Sequence, residues 1–329
     1  MTGLLELRER LRNLYGKCEI YIRAGVKFVL GLAVFILING QLGYMDRLDH
    51  PAVTLILALI CSFLPLNIMS LLAGAVILIH LSALSLEVCV TAFCLFLLLF
   101  FIYGKYASKN DGILILTPIL CFFKVPQVMP VACGLLRRPA EYLSIVCGVT
   151  AYYYLEGVNG NIASFTSTEE AEILAKFSAI LKTLTGNKEM YLVLAAFLIT
   201  SLTVYLIRRQ SIDHAWRIGL LLGNLLQMII LLIGYVLLGK PEKIFWVVAG
   251  SAISVAVSLI LEFLFYNLDY SRIERVQFED DEYYYFVKAV PKMYVARKDK
   301  RVKRITHRRK TVSRRELAEE LEIDQDLLN

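Results

Sequence analysis

Between residues 26 and 266 the chain is a succession of apolar runs separated by short polar gaps, and its middle is nearly free of charge. A soluble domain must keep one side of each element wet, so runs this apolar define an all-α polytopic membrane protein. The balance of the 329 residues agrees, with 57% hydrophobic and 19% charged, against about 25% charged in soluble domains. This excludes a secreted disulfide scaffold, an ordinary nucleic-acid-binding domain and a soluble metabolic enzyme. Six of the seven cysteines (Cys61, Cys89, Cys94, Cys121, Cys133 and Cys147) lie in apolar runs, and Cys18 lies in a basic stretch. No CxxC pair occurs, so they read as reduced packing residues, not as a metal site.

About six full spans are expected, at 26–41, 86–103, 142–155, 190–207, 218–239 and 244–266. Two shorter, proline-broken hairpins interrupt them. The first joins 51–64 to 66–84 at Pro65, and its leading arm is well short of the roughly 20 residues a crossing helix needs. The second joins 112–123 to 128–136 around Lys124, Val125, Pro126 and Gln127. Each hairpin is either re-entrant or a pair of complete but tilted spans; both readings leave an even number of crossings.

At a shift of 60 residues the hairpins align, Cys61 with Cys121, Phe63 with Phe123, Met69 with Met129 and Gly74 with Gly134, while Asn67 faces Gln127. Each unit is then a hairpin followed by one span, which inverts the second unit relative to the first. Short interrupted segments at corresponding places in inverted halves point to a transporter's binding site. Broken backbone survives at membrane depth only in protein or beside a water-filled cavity. The expected site is therefore Pro65, Asn67, Lys124, Pro126 and Gln127. An ammonium at Lys124, beside the start of a short helical arm, favours a small anionic solute. The alternative is a Lys124 that snorkels to an interface.

Other ionisable groups have plainer readings. His80 and Glu87 either share a helix face or flank a turn at the membrane surface. Glu262 is expected to meet Arg272 or Arg275, and Asn224 and Gln227 to form hydrogen bonds between helices. No HExxH, GxSxG or Walker A motif is present, so no enzyme activity and no cofactor is expected.

Residues 1–23 form an amphipathic helix on the membrane surface, with Leu4, Leu5, Leu7, Leu11 and Leu14 against Arg8, Arg10 and Arg12. This charged segment lacks the features of a cleaved signal and is expected to be retained. A membrane domain with the two hairpin units covers 24–157. The connection 158–189 carries an amphipathic helix opened by a Ser167–Glu170 capping box, and 190–269 hold three plain spans. The cytoplasmic tail, 270–329, is expected to be a small α/β unit that begins with β-forming residues around Tyr284 and contains a basic block. There Lys300, Arg301, Lys303, Arg304, Arg308, Arg309 and Lys310 are placed to bind anionic lipid headgroups; without interleaved aromatics, no nucleic acid is expected.

Lys and Arg set the orientation. Six lie up to Lys27, two in 104–111, two at Arg137 and Arg138, three in 208–217 and fifteen from Arg272 onward. The opposite side holds Arg47, Lys176, Lys182, Lys188, Lys240 and Lys243. Both termini are therefore expected in the cytoplasm. The run VQFEDDEYYYFVKAVPK at 276–292 and the hairpin LILTPILCFFKVPQVMP at 114–130, with the N-terminal pattern, resemble a family of uncharacterised Gram-positive membrane proteins. Its members are often labelled "ABC transporter permease". The resemblance spans most of the chain and implies transport and a bacterial inner membrane, without assigning chemistry to any residue. A transporter or permease component is the leading expectation. The alternative is a membrane scaffold that recruits a protein partner, or a second copy of itself, through the tail.

Overall fold

The computed structural model describes residues 2–106, 112–162, 178, 182–210, 214–265, 274–279 and 284–289. The chain forms two compact units, 3–267 and 268–329. In the second unit, strand β1 (Glu274–Glu279) pairs antiparallel with β2 (Tyr284–Ala289), Glu274 opposite Ala289 and Glu279 opposite Tyr284. The basic block from Lys300 to Lys310 lies outside the described residues, as does the Ser167–Glu170 capping box.

The first unit is helical. Helix α1 runs from Thr2 to Leu42, so the surface helix and the first span expected separately are one helix. They are told apart only at Cys18, where φ −119° and ψ 26° leave the helical region. Helix α2 (Pro51–Phe63) begins with proline at its first position and His50 as its cap, whose Nδ1 accepts from the Ala52 amide at 3.3 Å. It stops because Leu64 precedes Pro65 and is forced to extended backbone. Then follow α3 (Leu66–Leu84), α4 (Leu86–Tyr106), α5 (Ile113–Phe122), α6 (Val128–Leu136), α7 (Leu143–Gly160), α8 (Lys188–Arg208), α9 (Ala215–Leu237) and α10 (Ile244–Phe265).

Among the described residues, six helical stretches are long and apolar enough to cross a membrane: Asn13–Leu42, Leu66–Leu84, Leu86–Tyr106, Lys188–Arg208, Ala215–Leu237 and Pro241–Phe265. Their number matches the expectation, but their membership does not. Leu66–Leu84 qualifies although it was read as a hairpin arm, and α7 does not qualify. The reason lies in packing. Helix α7 is enclosed by protein, with Ile145, Cys147, Val149, Tyr153, Tyr154 and Val158 buried. It contributes to both large apolar cores, one with α1, α3 and α4 and one with α5, α6, α8 and α9. A helix shielded from lipid needs less apolar sequence than one facing it.

The two hairpins differ. At the first tip, Lys27 Nζ donates to the Leu64 carbonyl at 2.9 Å and Tyr103 donates to Asn67 Oδ1 at 2.8 Å. Tyr103 lies in the last turn of α4, a spanning helix, so Pro65 and Asn67 sit at one end of the bundle and α3 runs its full length. The arms of the second hairpin are only ten and nine residues, about 15 Å and 14 Å. Its base is held where α8 ends, Arg208 donating to the carbonyls of Leu135 and Arg137. Its tip meets the middle of α10: Ser254 Oγ donates to the Gln127 carbonyl at 3.0 Å, and Gly250 lies against the Gln127 side chain. Gly250 and Ser254 stand about 9 Å and 15 Å from the start of a helix some 33 Å long. The second hairpin thus turns back at half depth. The units also pack differently, α4 against the second arm of its hairpin and α7 against the first arm of the other.

Candidate functional site

The half-depth tip is built by a helix-ending motif. Val125 N donates to the Leu120 carbonyl at 2.9 Å and Lys124 N to the Cys121 carbonyl at 3.0 Å. This is the pairing of a Schellman cap, in which the residue at the Lys124 position takes left-handed backbone and is usually glycine. Lys124 occupies it with φ 59°. Pro126 then starts the return, and α6 follows Gln127.

Above the tip opens a cavity of about 390 Å³. Lys124, Pro126 and Gln127 line it, with Tyr152, Tyr153 and Glu156 from α7, Glu189 from α8, Tyr235 from α9, and Glu242, Lys243 and Trp246 around the start of α10. Phe197, Leu231 and Val247 supply apolar wall. Pro65 and Asn67 take no part in the cavity. Asn67 is held by Tyr103 at one end of the bundle, so the structure brings together three of the five expected site residues and leaves two elsewhere.

Opposite the tip is a charged cluster. Asn187 caps α8, its Oδ1 accepting from the Met190 amide at 3.1 Å, and Glu189 falls in the first turn, where the helix dipole favours a carboxylate. Gly239, at φ 69°, ends α9 and turns the chain back over that carboxylate. Lys240 donates to Glu189 Oε2 at 2.6 Å, Lys243 to Oε1, Tyr235 to Oε1 at 3.2 Å and Tyr153 to Oε1 at 3.4 Å. Glu189 is 6% exposed, and these four donors make its burial tolerable. The hydrogen bond from Lys240 to Glu189 raises the lysine above its ordinary pKa.

Lys124 lies apart from this cluster. Its ammonium sits 4.4 Å from the centroid of the Trp246 ring, an arrangement that holds a cation without neutralising it. Sequence reasoning found Lys124, Pro126 and Gln127 because turn residues interrupt an apolar run. It missed Glu189, Tyr153, Tyr235 and Trp246. Orientation was the available signal: the start of α8 and the turn between α9 and α10 must lie on one side, which sets Glu189 opposite Lys240 and Lys243.

Other pairings differ from expectation. Glu262 meets Arg217 at 3.4 Å. His80 is fully buried, its Nε2 3.1 Å from Asn39 Oδ1, while Glu87 accepts from Ser85 in the first turn of α4. Asn224 donates to the Leu220 carbonyl of its own helix, and its Oδ1 and both amide atoms of Gln227 find no protein partner, so the expected bond between helices is not made. Among the described residues no group of three His, Cys, Asp or Glu is placed to hold a metal.

The six long apolar helices mark a multi-pass membrane protein. No family model, curated protein or solved structure matches the chain.

Proposed function

We propose that this protein is a membrane transporter or permease component that binds a small anionic solute over the tip of the α5–α6 hairpin. One observation carries the reading: a hairpin that turns back at half the depth of α10 beneath a cavity lined by Lys124 and Gln127. Irregular backbone at such depth is tolerated where it borders a water-filled cavity. Half-length helices meeting at that level are how transporters present backbone and side-chain groups to a solute. Lys124 is the anion-binding group, because Lys240 and Lys243 are both already bonded to Glu189 whereas Lys124 rests on an uncharged indole. The resemblance of the hairpin to bacterial membrane proteins labelled permeases points the same way, and the Lys and Arg distribution supports cytoplasmic termini.

The test is a thermal-shift screen of purified protein in detergent against a panel of small carboxylates, sulfonates and inorganic phosphate. Any stabilising compound is then followed by its flux into proteoliposomes. Lys124→Ala should insert normally and lose both the shift and the flux. Unchanged flux in Lys124→Ala removes that residue from the mechanism, and no shift from any anion sinks the anionic reading.

A further inference from the structure

Beneath the cavity the interior changes character. Nine buried side-chain nitrogen and oxygen atoms among the described residues lack a hydrogen-bond partner, and seven of them belong to Gln127, Thr200, Asn224, Gln227, Ser251 and Ser258. All six residues are at most 5% exposed. They come from the hairpin tip, α8, α9 and α10, which pack on one another.

Register places most of these groups in one layer. Leu231 and Val247 both line the cavity and fix how α9 runs against α10. Counting one turn further from the connection along both antiparallel helices sets Gln227 at the level of Ser251 and Asn224 at that of Ser254. Thr200 joins from α8, because a Cβ on Gly223 would meet Thr200 and Val204. Gln127 closes the layer, with its side chain against Gly250 and its carbonyl bonded to Ser254.

The layer carries no charge. Segments 125–136, 197–204, 220–231 and 247–258 contain no charged residue. Six of the seven unpartnered atoms are neutral oxygens of hydroxyls and amide carbonyls, and the seventh is the Gln227 amide nitrogen. Buried polar groups are almost always satisfied, and a cluster of them without partners points to a ligand between them. Carboxylate-rich sites select divalent ions; neutral oxygens in a dry interior compensate a single positive charge. The ends of α5 and α6 meet at the tip with opposed dipoles, so neither helix imposes its own preference.

We infer that this layer, floored beneath the cavity by Gln127, binds a monovalent cation of sodium size. The ion reaches it through the cavity, and the hydroxyls and amide oxygens of Thr200, Gln227 and Ser251 replace part of its water shell. Its position under the solute cavity is that of a coupling ion, but binding of the ion does not depend on which solute occupies the space above.

The experiment uses the full chain in detergent without added solute. Thermal unfolding is followed while sodium chloride replaces choline chloride at constant ionic strength, with potassium chloride in parallel, and bound ²²Na⁺ is measured by equilibrium dialysis. The melting temperature should rise saturably with sodium, less with potassium and not with choline. Thr200→Val and Ser251→Ala should each weaken half-saturation at least tenfold, while Thr200→Ser keeps it. If a variant does not fold, dialysis on the wild-type protein decides alone. Equal melting temperatures in all three salts with no ²²Na⁺ retained, or sodium dependence unchanged in Thr200→Val and Ser251→Ala, overturns the inference and leaves a layer that holds only water. Either result leaves the anion screen at Lys124 to be judged separately.

Discussion

The ammonium of Lys124 rests 4.4 Å from the centroid of the Trp246 indole, so the turn of a half-depth hairpin is tied to the first turns of α10 by one cation on one ring. Both partners are exposed, Trp246 at 44%, so the contact contributes about 0.5–1 kcal/mol. Trp246→Phe should lower stability less than Trp246→Ala, and only the alanine variant should free Lys124. Melting curves of both, read beside Lys124→Met, check this: if Trp246→Ala destabilises the Lys124→Met background as much as the wild type, the two residues are not coupled.

Lys124 stands in left-handed backbone at a position that favours glycine. For a residue with a Cβ that conformation costs about 1 kcal/mol. Lys124→Gly and Lys124→Ala both remove the ammonium, yet only glycine relieves the backbone. The glycine variant should therefore be the more stable of the two by about 1 kcal/mol, measured by thermal or denaturant unfolding, while both fail to bind an anion. Equal stability would show that the turn carries no strain.

Glu189 is the most heavily bonded carboxylate of the cavity, and its variants should be asymmetric. Glu189→Gln leaves two ammonium groups facing each other and should cost about 2 kcal/mol. Lys240→Ala leaves Lys243, Tyr153 and Tyr235 on the carboxylate and should cost about 1 kcal/mol or less, since Lys240 is partly exposed. Replacing both lysines should cost more than the two single losses together, because the carboxylate is then buried without a counter-charge. Strict additivity in a double-mutant cycle would refute the shared site.

The pair also sets an alkaline limit. Lys240 is raised in the folded protein by its bond to Glu189. Its contribution to stability is complete below the ordinary lysine value of about 10.4 and is lost as pH rises through the higher folded value. Stability should thus show no step from this group between pH 7 and 9 and a loss above about pH 10.4. Glu189→Gln should erase that loss; a step that persists in the variant belongs to another group.

Access distinguishes the two hairpins. On a background without the seven native cysteines, Lys124→Cys should react with a membrane-impermeant thiol reagent only from the side of Glu189 and Lys243. It should react more slowly than a cysteine at Lys240. Asn67→Cys, near Tyr103 at the end of α4, should react from the opposite side. Labelling of both from one side would contradict the half-depth turn.

Much of the fold was legible because apolar run lengths are set by the bilayer. The two hairpins looked alike since Pro65 and Pro126 interrupt apolar sequence in the same way. The length of the second arm separates them: Leu66–Leu84 is 19 residues, whereas Val128–Leu136 is nine. Asn67 aligned with Gln127 by spacing, but their surroundings are made by residues remote in sequence, Tyr103 for one and Ser254 for the other. Glu189 was hidden for a related reason. Its four donors come from three places in the chain, and only the turn at Gly239 brings Lys240 and Lys243 over it. Lys124, Pro126 and Gln127 stood out because charge, proline and amide side chains inside an apolar run require a special environment wherever they lie.

The shortness of α5 and α6 also governs how the protein is made. Neither arm is long enough to be released into lipid as a span of its own, and the turn between them carries a lysine and a glutamine. Their walls arrive later in synthesis. Gly148 of α7 lets Thr117 approach, and Gly134 lets Val204 of α8 approach. Until α7 and α8 have emerged, the nascent hairpin lacks the two helices that α5 and α6 pack against most extensively. Chains that stall or end before α8 should therefore display an unseated polar loop at the bilayer, the kind of lesion that membrane quality-control proteases remove.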